Sequence, residues 1–160
     1  MSEEKFLAPE QQRVMARLAI KRAVAQASDS LFEKAQGPAE KLLKAGLDTG
    51  QIRNLENIAY STDRLSDIYD FLKKQMGRPG DLGKKWRHQG VGQELLDTLT
   101  HLRKQARAIV RGDEKTGIEG VKQRYPQGVD DDTERQVHLM LCREYLKHVA
   151  AHYLYAGVVK

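Results

Sequence analysis

Apolar residues along this chain recur at intervals of three and four, and no run alternates with period two. That pattern predicts helices and no strands. A first helix opens at Pro9, a residue suited to a first helical turn, and runs to about Ala27, with Val14, Met15, Leu18, Ala19, Val24 and Ala25 turned inward. Ser30-Leu31-Phe32-Glu33 reads as a capping box opening a short helix, which Gly37-Pro38 interrupts. A further short helix covers Ala39 to Ala45 and stops at Gly46. Asp48, with Gln51 three residues on, starts the longest predicted helix, 49–76, with the apolar face Ile52, Leu55, Ile58/Ala59, Leu65, Ile68/Tyr69, Leu72 and Met76.

Gly77, Pro79, Gly80, Gly83 and Gly90 predict a flexible loop over 77–91. A leucine-rich helix follows from about Gln93 to Arg111. A second loop spans 112–130, with room for one helical turn around Ile118–Arg124. Asp130-Asp131-Asp132-Thr133 then supplies a cap and negative charge for a last helix that runs to about Tyr155 and stops at Gly157. The expectation is an all-α, single-domain helical bundle over 1–160, with four main helices plus short ones.

Charge and composition narrow the function. The 160 residues carry 27 Lys and Arg against 22 Asp and Glu, a net +5 spread evenly over both halves. This mild excess permits nucleic-acid binding without requiring it, and any such surface has to be assembled by the fold. The single cysteine, Cys142, cannot form an internal disulfide and fits a reducing compartment. The polar N-terminus is followed by no apolar signal region, and no stretch nears the ~18 apolar residues of a membrane span. A cytoplasmic protein with no membrane partner is expected.

No catalytic constellation emerges. Glu144, His148 and His152 share one helical face, but the zinc-protease pattern needs an acid directly after its first histidine, and Val149 stands there. Helix-surface pairing accounts for the trio and is the favoured reading. Asp130, Asp131, Asp132 and Glu134 are oxygen donors of the kind Mg²⁺ takes, yet a helix cap explains them fully. Gly90-Val91-Gly92 lacks the third glycine of a dinucleotide fingerprint and follows no strand. Cys142 falls within an apolar-periodic helix and is assigned to the core. No catalytic residue, metal or cofactor is expected.

Basic residues form rows instead. Arg13, Arg17 and Lys21, with Arg22 beside them, line one helical stripe, and Arg103, Arg107 and Arg111, with Lys104 adjacent, line another. Each stripe is about 12 Å long at ~1.5 Å per residue, a length that can follow a phosphate backbone. Lys84, Lys85 and Arg87 add a third basic patch, in the loop with Trp86. Trp86 either stacks on a base or fills the core or a protein contact, and the latter two are favoured. Tyr145, Tyr153 and Tyr155 on the last helix suit a protein interface, or else a packed helix with polar tips at the rim.

Two stretches carry a family resemblance. Leu47-Asp48-Thr49-Gly50-Gln51-Ile52-Arg53-Asn54-Leu55 resembles the Leu-Thr-Thr-Ser-Gln-Ile-Arg-type helix start of the small helical subunit of type III (Csm-like) CRISPR RNA-guided effector complexes. Cys142-Arg143-Glu144-Tyr145-Leu146-Lys147-His148-Val149-Ala150-Ala151-His152-Tyr153-Leu154-Tyr155-Ala156-Gly157 resembles that family's terminal helix. The resemblance implies a non-catalytic subunit of an antiviral ribonucleoprotein. Its partners would be CRISPR RNA and target RNA, other subunits of the complex, and further copies of itself stacked as an inner filament. It carries Arg53 over as RNA-facing. The alternative expectation is a helical protein–protein adaptor or regulator that binds no nucleic acid. A helix-turn-helix regulator fits less well, because both long connections exceed its short turn.

Overall fold

The computed structural model describes residues 7–159. These form α1 (Pro9–Lys44), α2 (Thr49–Ser61), α3 (Leu65–Met76), α4 (Gly80–Arg87), α5 (Val91–Arg111), the single turn α6 (Val121–Arg124) and α7 (Thr133–Val159). The fold is all-α; among the described residues the only strand-like feature is an isolated antiparallel bridge between Asp113 and Ile118. These residues group into two compact units, 7–27 with His101–Leu141 and Ser28–Thr100 with 142–159.

The first unit contains the first half of α1, the second half of α5, α6 and the start of α7. The α1 stripe that it buries is Gln12, Ala16, Ile20 and Val24, spaced by four, alongside Leu102, Ala106, Val110, Val121, Tyr125, Val137 and Leu141. Gln12 is buried because both ends of its amide are used. Its Nε2 donates to the Leu7 carbonyl at 3.0 Å, and its Oε1 accepts from the Gln127 amide at 2.8 Å. The chain at 125–128 lies so close to α1 that a Cβ on Gly128 would come within 2.5 Å of the Gln12 carbonyl oxygen. The Asp130 carboxylate accepts from the Asp132 amide at 2.9 Å and the Thr133 hydroxyl at 3.1 Å, fixing the turn into α7 as the aspartate run predicts.

The second unit is built on Leu31, Ala35, Ala39 and Leu42 of α1, packed in a core with Ile52, Leu55, Ile68, Leu72, Leu95, Leu99, Tyr145 and Val149. Asp48 caps α2 by accepting from the Gln51 amide at 3.0 Å, at the position the sequence marks.

Four element boundaries differ from expectation. Residues 9–44 form one continuous helix that runs through Gly37-Pro38. A proline inside a helix costs about 3 kcal/mol. Here Leu31, Ala35, Ala39 and Leu42, essentially inaccessible, hold the helix through it. The predicted 49–76 helix is two, parted at Thr62, whose backbone is extended. The Thr62 hydroxyl accepts from the Arg64 amide at 3.0 Å and donates to Asp67 at 2.6 Å, replacing helical bonding with a local turn. The 77–91 segment is largely helical, comprising α4 and a 3-10 turn at His88–Gly90. Finally, α7 continues past Gly157 to Val159.

Candidate nucleic-acid interface

The first half of α1 carries no acidic residue from 11 to 28, and α5 carries none from 98 to 112. Arg13, Arg17, Lys21 and Arg22 on α1 are exposed, as are Arg103, Lys104 and Arg107 on α5. None of these seven has an ion-pair partner among the described residues. All seven belong to the first unit. Arg111, the fourth basic position of the α5 row, differs: its Nε lies 3.1 Å from a Glu134 carboxylate oxygen.

The two rows have different surroundings. No large apolar side chain on α5 is exposed, so its outer face is polar and cationic. On α1, Val14, Met15 and Leu18 stand outward among the cations. This corrects the expected inward face. Of the six residues assigned to it, Val24 is buried and Ala19 partly so, while Val14, Met15, Leu18 and Ala25 face solvent. The buried stripe is Gln12-Ala16-Ile20-Val24 instead.

In the second unit Arg53 is exposed on α2. Lys84 is exposed and Lys85 half-buried; with Asp81, His88 and Ala45 they line a small polar hollow of about 220 Å³. Arg87 is engaged otherwise. It is exposed, and its Nη1 donates to the carbonyl oxygens of Met76 and Arg78, which holds the guanidinium at the end of α3 with its charge intact.

Three of the four aromatic residues expected at an interface lie in the core. Trp86 is 0% exposed and meets Phe71 edge-to-face at 6.1 Å, because α4 turns it inward. Tyr145 is fully buried, and burial pushes its phenol up to about 12. Tyr153 is buried and donates its hydroxyl to the Leu47 carbonyl; burial likewise raises its phenol above the ordinary value. Tyr155 remains at the surface, 69% exposed. Cys142 is a core residue whose thiol burial pushes well above its usual range.

The histidine face is used within the protein. His148 Nε2 lies 2.7 Å from the Ser28 hydroxyl, His152 Nε2 lies 2.7 Å from the Phe32 carbonyl oxygen, and both rings pack on Phe32. Glu144 pairs with Lys147 at 2.6 Å. Burial, then the neighbouring Lys147 charge, lowers the His148 pKa. Among the described residues, no three His, Cys, Asp or Glu side chains gather closely enough to hold a metal ion. Beside this cluster, Phe32, Gln36, Glu40, Ala151, His152, Tyr155, Ala156 and Val159 line an apolar groove of about 560 Å³ that the sequence reading missed.

The fold and these faces define an all-helical protein with cationic surface rows and no helix long and apolar enough to cross a membrane among the described residues. No protein-family model and no solved structure matches the chain. Among curated proteins, it is similar to the trigger factor of Desulfosudis oleivorans, 34% identical over 90 residues. That match covers 55% of this chain and 20% of the trigger factor, so it spans about a fifth of that protein's length.

Proposed function

We propose that this chain is a non-catalytic RNA-binding subunit of a type III CRISPR RNA-guided effector complex. It contacts the guide–target duplex through phosphates, beside further copies of itself and the other subunits. The observation that carries the reading is the outer face of α5, where Arg103, Lys104 and Arg107 stand exposed on an acid-free stretch. A protein that must accept any target sequence needs shape and phosphate contacts, which cations on rigid helices provide without reading bases. The family resemblance in 47–55 and 142–157 supports the same reading, and Arg53, the position it carries over, is exposed.

Purification of the tagged chain from its native host tests the assignment. A stoichiometric small RNA with several larger proteins is expected; their absence retires the proposal. Replacing Arg103 and Arg107 with alanine is expected to flatten the salt dependence of RNA binding. The apolar groove between α1 and α7 favours a second reading, a protein adaptor, which predicts no retained RNA even at low salt.

A further inference from the structure

The α1 face that the cations share with Val14, Met15 and Leu18 has a different chemistry from the α5 face. Val14 is 54% exposed, Leu18 52% and Met15 38%. On a helix, residues four apart share a side, so Val14 and Leu18 form one outward ridge. Met15 and Arg22 border it on one flank, and Arg17 and Lys21 on the other. The opposite side, Gln12, Ala16, Ile20 and Val24, is already packed in the first unit.

A phosphate backbone gains nothing from aliphatic side chains placed between its cations, and Val, Leu and Met offer no ring on which a base can stack. A lipid surface is also a poor fit. Helices that lie in a membrane interface sink a broad face with aromatic and leucine anchors, and this ridge is three aliphatic residues wide. A narrow apolar ridge between two cationic flanks is complementary to a helix with the reverse charge, whose own apolar residues recur at three and four. The helices of this chain that carry acidic residues carry Lys or Arg as well, and the chain is net +5, so a second copy is a poorer electrostatic match for that partner.

We propose that the outward face of the first half of α1 docks an acidic amphipathic helix of a different protein. Apolar side chains of that helix pack on Val14, Met15 and Leu18, and its carboxylates pair with Arg17, Lys21 and Arg22. This assignment does not depend on whether α5 meets RNA.

The test places the photoreactive residue benzoylphenylalanine at position 18 of the full chain, expressed in its native host and irradiated. The expected adduct is one segment of another protein, net acidic, with apolar residues at helical spacing. That segment, made as a synthetic peptide, should bind the purified chain. Leu18→Ser and the double change Arg17→Gln/Lys21→Gln should each weaken binding about tenfold, a loss typical of a central interface residue. Arg103→Ala/Arg107→Ala should leave it unchanged. Raising salt to about 0.5 M should weaken the parent more than the Arg17→Gln/Lys21→Gln variant, because screening acts on the charge pairs that variant lacks. Adducts on nucleotides, on lipid or on a second copy overturn the proposal. So do a segment without acidic residues, the absence of any adduct, and peptide binding that ignores both sets of substitutions. All substituted side chains are exposed, and matching urea midpoints establish that the variants are folded.

Discussion

Trp86 lies in the most glycine-rich part of the chain, a context that predicts a loop, yet it is the largest fully buried side chain. Sequence spacing could not assign it because α4 is only eight residues long, too short for its periodicity to stand out from Gly80 and Gly83. Replacing Trp86 with alanine leaves a cavity that the surrounding helices cannot close, and is expected to cost about 3–5 kcal/mol. Tyr155→Ala, at the surface, should stay within about 0.5 kcal/mol. Urea midpoints of the two variants measure the contrast directly. Tyr145 makes a second residue-level prediction. Burial holds its phenol protonated up to about 12, whereas the unfolded chain releases that proton near pH ~10. The folded state therefore keeps a proton that the unfolded state loses, and stability falls as pH rises through that window. The contribution is fully present below pH ~10. Tyr145→Phe should lessen the alkaline loss, read as urea midpoints across pH ~9 to ~12 for both proteins; a parallel decline in the two would refute it.

At the scale of the element, the break between α2 and α3 shows what holds a helix end that has no glycine. Arg143 of α7 reaches it: Nε donates to the Ala59 carbonyl at 2.8 Å, and Nη2 to that of Thr62. Two carbonyls left open by the end of α2 are thereby satisfied by one half-buried guanidinium. Arg143→Met keeps much of the stem and removes both donors, and should destabilise the chain by about 1.5–3 kcal/mol in urea titrations, as expected for hydrogen bonds from a charged group. A change under about 0.5 kcal/mol would mean that water replaces the guanidinium at no cost. The sequence did contain the break. Ser61-Thr62-Asp63 puts three side chains that compete for backbone hydrogen bonds in succession, but the apolar period continues on both sides and hides it. The continuity of α1 was obscured in the opposite way, by a capping-box pattern at Ser30–Glu33 and by Gly37-Pro38, both of which the helix runs through. Its inward face was obscured because the buried stripe passes through Ala16, Ala35 and Ala39, which weigh little in a search for large apolar residues, while Val14, Met15 and Leu18, which weigh most, face out.

Across the whole molecule, the helical class was legible because period three-and-four runs the length of the chain, and both basic rows were legible because their acid-free stretches are written in the sequence. What the sequence could not show was which cations are already engaged within the fold. Arg87 and Arg111 look like their neighbours in spacing, but one caps α3 and the other faces Glu134. That difference separates the α5 row into two kinds of position. A cation that binds a phosphate in place of condensed counterions contributes about 0.9 to the slope of log affinity against log salt on a duplex. Losing Arg103 and Arg107 together should therefore reduce the magnitude of that slope by about 2. Arg111 must first give up a carboxylate to meet a phosphate, and Arg111→Ala leaves Glu134 as an added negative charge near the row. That variant should weaken RNA binding at low salt while shifting the slope by much less than either neighbour. Titrations of a guide–target duplex at several salt concentrations distinguish the two cases, and equal slopes for Arg107→Ala and Arg111→Ala would show that the Glu134 pair does not persist when RNA is bound.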